Sequence, residues 1–149
     1  MTPRALLESL LRFVRPARPR EYRGLRGRGQ AWERLAAKRL EAEGYRILDR
    51  NFRARAGEID FVAEEKGVLC FVEVKGRSGP GFGLPAEAVT LEKQRRIFRA
   101  AEEYVRRRRR GPCRRCRFDV VSILEADGGT DVVVLRGAFE EPPPRRRPR

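Results

Sequence analysis

The stretch from Glu58 to Lys75 constrains the fold more than any other part of the chain. It holds two runs of strand-forming residues, Glu58-Ile59-Asp60-Phe61-Val62-Ala63 and Val68-Leu69-Cys70-Phe71-Val72-Glu73-Val74-Lys75, with only Glu64-Glu65-Lys66-Gly67 between them. So short a connection predicts an antiparallel hairpin. Side chains alternate faces along a strand, so Cys70, Val72 and Val74 share one side while Leu69, Phe71, Glu73 and Lys75 share the other. On the partner strand Glu58, Asp60 and Val62 lie together, opposite Ile59, Phe61 and Ala63. A two-residue loop at Lys66-Gly67 and a four-residue loop at Glu65–Val68 give the same register, which sets Asp60 across from Glu73 and Glu58 across from Lys75.

Like charges on cross-strand neighbours, whose Cβ atoms lie about 4.5–5.5 Å apart, are destabilising. A divalent cation such as Mg²⁺ or Mn²⁺ would relieve that crowding, because hard cations take one or two carboxylates and leave their other positions to water and phosphate oxygens. Lys75, one pleat beyond Glu73, would offer its ammonium to a phosphate or to the attacking water, and Glu58 would stand just behind the pair. The plain alternative is a surface hairpin whose Glu and Lys are simply solvated, since an E-x-K hairpin alone is common.

The flanking segments predict a mixed sheet carrying helices. From Ala31 to Glu43, Trp32, Leu35, Ala36 and Leu40 fall on one helical face, with Arg34, Lys38 and Glu41 away from it, and Gly44 ends the helix. Tyr45–Phe52 reads as a strand with Ile47 and Leu48 buried. After a Gly-rich loop, 76–84, a long helix runs from Pro85 or Thr90 to Val105, with Leu91, Ile97, Phe98, Ala101 and Tyr104 on one face. Two further strands, Phe118–Leu124 and Asp131–Leu135, flank the turn Ala126–Gly129. The order α, β, β, β, α, β, β places the chain in the α/β or α+β class without giving the strand order. The 149 residues suit one domain, folded over about 30–140, with an Arg/Pro/Gly-rich arm at 1–29 and a Pro/Arg-rich tail at 141–149.

Charge is distributed unevenly. The formal net charge is +14, yet the arm carries eight Arg against two acids and residues 142–149 carry four Arg and no acid. The segment 106–117 alone holds eight Arg, so the rest of the folded part is slightly acidic. Basic arms and one basic loop around an acidic body suit a polyanion, because each phosphate neutralised by Arg releases condensed counterions. Arg106, Arg107, Arg108, Arg109, Arg110, Arg114 and Arg115 are therefore candidate phosphate contacts, although cations are also favoured at a helix C-terminus without any ligand. Lys93 and Arg96 would reach a backbone phosphate or else be solvated helix-surface residues. Glu8 and Arg12 interrupt the apolar run near the N-terminus, and no stretch approaches the ~20 residues that span a bilayer. A cytoplasmic protein without a membrane partner is the expectation.

The residues also carry a resemblance. Gly57-Glu58-Ile59-Asp60 with Phe71-Val72-Glu73-Val74-Lys75 is similar to the D…(D/E)-x-K signature of the restriction-endonuclease-like, or PD-(D/E)xK, nucleases. The match extends in order to the YraN-type proteins, small bacterial members of that superfamily. It runs through Trp32–Ala37 and Leu40, Gly44–Leu48, Asn51–Arg53, Gly57–Asp60, Phe71–Lys75 with Arg77, Pro85–Val89, Lys93, and Arg117–Val121. It covers roughly 30–139. It implies a restriction-endonuclease-like mixed β-sheet with a central hairpin flanked by helices. It implies that Asp60 and Glu73 hold Mg²⁺ or Mn²⁺, with no organic cofactor, and that Lys75 is the catalytic lysine. It matches Glu33 to the acidic residue that often completes such sites, and Arg77 to a position beside the nucleic acid. Glu33 is equally an ordinary first-turn acid favoured by the helix dipole. Where a Gly usually precedes that Glu, this chain has Trp32.

The expected activity is metal-dependent endonucleolytic hydrolysis, of DNA rather than RNA. Selection by structure rather than sequence is expected, since few Asn and Gln are present to read bases. A non-catalytic nucleic-acid-binding adaptor and an RNA-processing nuclease are the alternatives, and a dimer is compatible with the resemblance. Cys113-Arg114-Arg115-Cys116 has the spacing of half a zinc site, but only Cys70 remains and there is no His, so four ligands cannot be assembled. A regulatory disulfide between Cys113 and Cys116 is the other reading, disfavoured by a reducing cytoplasm. Asp119 is expected to support the fold by pairing with an Arg.

Overall fold

The computed structural model describes residues 25–78, 89–108 and 115–143. They form α1 (Leu25–Ala42), β1 (Arg46–Arg53), β2 (Glu58–Glu65), β3 (Val68–Ser78), α2 (Leu91–Arg108), β4 (Cys116–Ala126) and β5 (Gly129–Phe139). The strands make one five-stranded sheet in the order β1-β2-β3-β4-β5. Every neighbouring pair is antiparallel except β3 and β4, which run parallel. A parallel pair needs a crossover, and α2 lies in that connection. The α+β class and the central hairpin agree with the sequence.

The hairpin has the two-residue form of the expected loop. Lys66 and Gly67 both have positive φ, 48° and 77°, the backbone of a turn whose twist matches that of paired strands. The register runs from Glu65↔Val68 to Phe61↔Val72, the one that directs Asp60 toward Glu73. Past Phe61 the ladder gives way to a side chain, and Val74 N donates to Asp60 Oδ2 at 2.8 Å.

Each face of the sheet has its own apolar cluster. Ala36, Ala37 and Leu40 of α1 pack with Phe61, Ala63, Cys70, Val72, Val121 and Ile123, with Trp32 and Leu35 half-buried beside them. Ile97, Ala100, Ala101 and Tyr104 of α2 pack on the other face with Val62, Leu69, Phe71, Phe118 and Val120. The alternation read from the sequence holds along β3 but breaks in β2. Ile59 joins Val62 in the α2-side cluster, whereas Phe61 and Ala63 face α1, so the strand changes its facing around Asp60.

Several boundaries differ from expectation. α1 begins at Leu25, inside the segment read as an arm, and β4 and β5 are longer than their apolar cores suggested. Leu91, which periodicity puts on the buried face, is the first residue of α2 and is 53% exposed. Ile47 and Leu48 are half-buried rather than buried, and the buried residue of β1 is Phe52. α1 ends as expected at Gly44 (φ 93°): Tyr45 N bonds Leu40 O at 3.0 Å and Gly44 N bonds Glu41 O at 3.1 Å, the left-handed cap that satisfies the last carbonyls.

Candidate metal and phosphate centre

Asp60 and Glu73 meet on the α2 side of the sheet. Backbone pairing sets their strands side by side, and the Val74 amide fixes Asp60 by holding one carboxylate oxygen. Glu73 is buried, only 5% exposed. Burial above all, and then the Asp60 carboxylate within hydrogen-bonding reach, push its carboxyl up to about 7; Lys93 and Lys75 act in the opposite direction. Lys93 Nζ lies 3.5 Å and Lys75 Nζ 3.8 Å from Glu73 Oε1. Two ammoniums therefore flank one buried carboxylate that also faces a second acid.

Lys93 does more than sequence reasoning assigned to it. Its place in the sequence suits a phosphate contact or a solvated helix residue, but it points from the first turn of α2 onto Glu73. A signal was present. Lys93 stands one turn before Ile97, on the same stripe as Ala100, Ala101 and Tyr104, and a lysine on a buried stripe calls for an acidic partner.

Other expected residues are placed elsewhere. Glu33 is half-exposed on α1, which covers the opposite face of the sheet. Among the described residues no three His, Cys, Asp or Glu side chains converge as a metal-binding group. Glu58, expected behind that pair, turns outward to Arg53 at 3.0 Å. Arg77 follows the site on β3 and is half-buried. In the basic run, Arg107 pairs with Glu103 and Arg108 with Asp49, while Arg96, Arg106 and Arg115 are exposed. Arg109, Arg110, Arg114 and Cys113 lie outside the described residues. Cys116 is disulfide-bonded, and Cys70 is free but buried, its thiol pushed up to about 12 by burial first and then by Asp119.

Trp32 acquires a role that its departure from the expected Gly did not suggest. Its ring lies against Gly76, directly after Lys75: a Cβ built at Gly76 would come within 2.0 Å of Trp32 Cε3. The indole Nε1 donates to Glu125 Oε1 at 2.8 Å, and Ser78 Oγ donates to Glu125 Oε2 at 3.3 Å. The first helix is thus clamped to β3 and β4 where they leave the site.

A second polar cluster lies toward the hairpin turn, on the α1 side. Asp119, fully buried, accepts from Tyr45 Oη at 2.8 Å, Arg117 Nε at 2.8 Å and Gly137 N at 2.9 Å, and so pairs with an Arg as expected. Arg117 and Arg136 also both bond Glu65. Hydrogen bonds from Arg136 and then Arg117 hold Glu65 down to about 2 against the opposing effect of burial. Every acid here has cationic or amide donors, which marks a structural network rather than a vacant site.

Comparison with known proteins places these features in a wider group. The sequence profile described as "Uncharacterised protein family UPF0102" matches residues 32–123, which run from within α1 through most of β4. A UPF0102 protein of Symbiobacterium thermophilum is 49% identical over 112 residues, covering 74% of this chain and 94% of its own length. One of Chlorobaculum parvum is 52% identical over 96 residues, 64% of this chain and 74% of its own. One of Myxococcus xanthus is 41% identical over 131 residues, 87% of this chain and 98% of its own.

Proposed function

The chain belongs to the UPF0102 family, and from that premise and the geometry above we propose that it is a restriction-endonuclease-like, metal-dependent nuclease of the PD-(D/E)xK superfamily. The supporting observation is the buried Glu73 carboxyl facing Asp60, with Lys75 and Lys93 at its edge. The donor set fits a hard cation. It offers carboxylate oxygens in a chain without His and, among the described residues, with no reachable thiol, which selects Mg²⁺ or Mn²⁺ over softer metals.

Asp60 and Glu73 would hold the ion. When bound, such an ion polarises the scissile phosphate and lowers the pKa of its water. Asp60 is kept in place by the Val74 amide. Lys75, about one-third exposed, has the freedom to meet a phosphate oxygen or the attacking water and to offset charge developing on the phosphate. Lys93 steadies Glu73 from the helix side. DNA is the proposed substrate, cut by its structure rather than its sequence.

Plasmid and branched-DNA cleavage with Mg²⁺ or Mn²⁺, beside Asp60→Ala and Lys75→Ala, tests this. Metal-dependent cutting that falls at least ~100-fold in both variants is the expected result. Binding with no metal-dependent cutting would instead support the second reading, a nucleic-acid-binding adaptor. Cleavage of structured RNA but not DNA would make the protein an RNA-processing nuclease.

A further inference from the structure

A groove of about 480 Å³ opens between α2 and the β1–β2 turn, lined by Arg55, Arg99, Glu102, Glu103, Arg106 and Arg107. It is distinct from the carboxylate pair, but the chain links the two directly. The turn that forms one wall, Arg55-Ala56-Gly57, runs into Glu58-Ile59-Asp60. The helix that forms the other wall begins with Lys93 against Glu73.

The wall on α2 is a stripe. Arg96, Arg99, Glu103 and Arg106 are spaced by three, four and three residues, so they stack on one face. Close packing joins the walls: a Cβ at Gly57 would touch Arg96 Cβ at 3.4 Å, and Arg55 N donates to Glu103 Oε2 at 3.0 Å. Glu103 is buried and also pairs with Arg107, so its charge is already spent inside the wall. The guanidiniums of Arg55, Arg99 and Arg106 are exposed and, among the described residues, meet no carboxylate. With Arg107 also present, four guanidiniums stand against the carboxylates of Glu102 and Glu103 along the groove, and the positive excess on this concave surface is offset by a polyanion.

We infer that this groove is the track for the sugar-phosphate backbone of the nucleic acid, held by Arg55, Arg99 and Arg106 and leading to the Asp60–Glu73–Lys75 cluster at the start of α2. The inference rests on the nucleic-acid reading above but not on turnover. Thirteen residues separate Lys93 from Arg106, about 20 Å along a helix. That is roughly six nucleotides of one strand at about 3.4 Å each. The contacts are to phosphate, so they position the strand without reading bases.

The test is binding of the full chain to a fluorescent 20-nucleotide single strand and the matching duplex, in EDTA, across a salt series. Arg99→Ala/Arg106→Ala is compared with wild type and with Arg34→Ala/Lys38→Ala, which changes two exposed cations of α1 on the far side of the sheet. Thermal melts verify that each is folded. The groove variant is expected to bind about tenfold more weakly, with a log–log salt slope shallower by roughly 1.4 to 1.8, and Arg55→Ala to add to it. The α1 control should match wild type. Equal losses in the two double variants would overturn the track, as would no binding by wild type at 50 mM salt. So would equal competition by polyglutamate of the same charge, which would mean that any polyanion suffices. Because metal is absent throughout, a chain that binds through the groove but never cuts sinks only the nuclease proposal. A chain that cuts normally with the groove emptied of Arg sinks only the track.

Discussion

At the scale of single residues, Gly76 and Glu73 are the positions where small changes should be felt most. Gly76 has the Trp32 ring pressed on its Cα, and a rigid ring cannot yield as the end of a flexible side chain would. Gly76→Ala should therefore cost about 1–3 kcal/mol by overpacking and shift Lys75, its neighbour. Urea melts and Mn²⁺-dependent cleavage read the two effects separately; cleavage and stability both unchanged would contradict the stacking. Glu73 carries a burial penalty and faces a second acid, so at pH 8 Glu73→Gln should melt at or above the wild-type temperature while losing Mn²⁺ binding by calorimetry. Glu65 behaves oppositely. Its carboxyl is held at about 2, below the ordinary 4.5, so its contribution is complete above pH 4.5 and is lost as pH falls toward 2. That contribution is at most about 3 kcal/mol. Denaturant titrations at pH 7 and pH 2.5 should differ by correspondingly less in Glu65→Gln than in wild type.

At the scale of elements, α2 matters because its first turn delivers Lys93. Thr90 Oγ1 accepts from Lys93 N at 3.3 Å, a side-chain cap on an otherwise unpaired amide. Thr90→Ala should cost about 1 kcal/mol and, by fraying the turn, loosen Lys93 from Glu73. Amide exchange at 91–94 reports the fraying, and Thr90→Ser should restore protection. The elements were unequally legible in the sequence. The β2–β3 hairpin could be read with its register, since a period of two and a Lys-Gly turn leave one consistent pairing. The apolar stripe of α1 was equally plain. The parallel β3–β4 pair was not, because nothing in a strand's own pattern names its partner. Nor was the role of Lys93, which depends on how α2 is rotated over the sheet, or that of Trp32, whose ring fits only because Gly76 lacks a side chain. Glu58 shows the converse: local pattern drew it toward the site, and a nearer Arg placed it elsewhere.

Over the whole molecule, two polar centres sit on opposite sides of one sheet, and their chemistry differs in kind. The Tyr45–Glu65–Arg117–Asp119–Arg136 network is satisfied within the chain, so Asp119→Ala should cost about 3–5 kcal/mol by leaving Arg117 short of a buried partner. Denaturant midpoints would fall accordingly, while the Mn²⁺ affinity of the remaining folded protein should equal that of wild type. A loss of metal affinity as large as the loss of stability would mean that the two centres are coupled. The arrangement of the strands has one more effect, on the order of assembly. The acids Asp60 and Glu73 are drawn together by a local hairpin, whereas Lys93 arrives only with the long crossover that joins β3 to β4. Sequence-local pairings close early and distant ones late, so during folding the two carboxylates confront each other before that lysine comes to neutralise them. A neutral side chain at position 73 should accordingly quicken refolding in stopped-flow traces and, because Lys93 then lacks its late-arriving partner, quicken unfolding by a smaller factor.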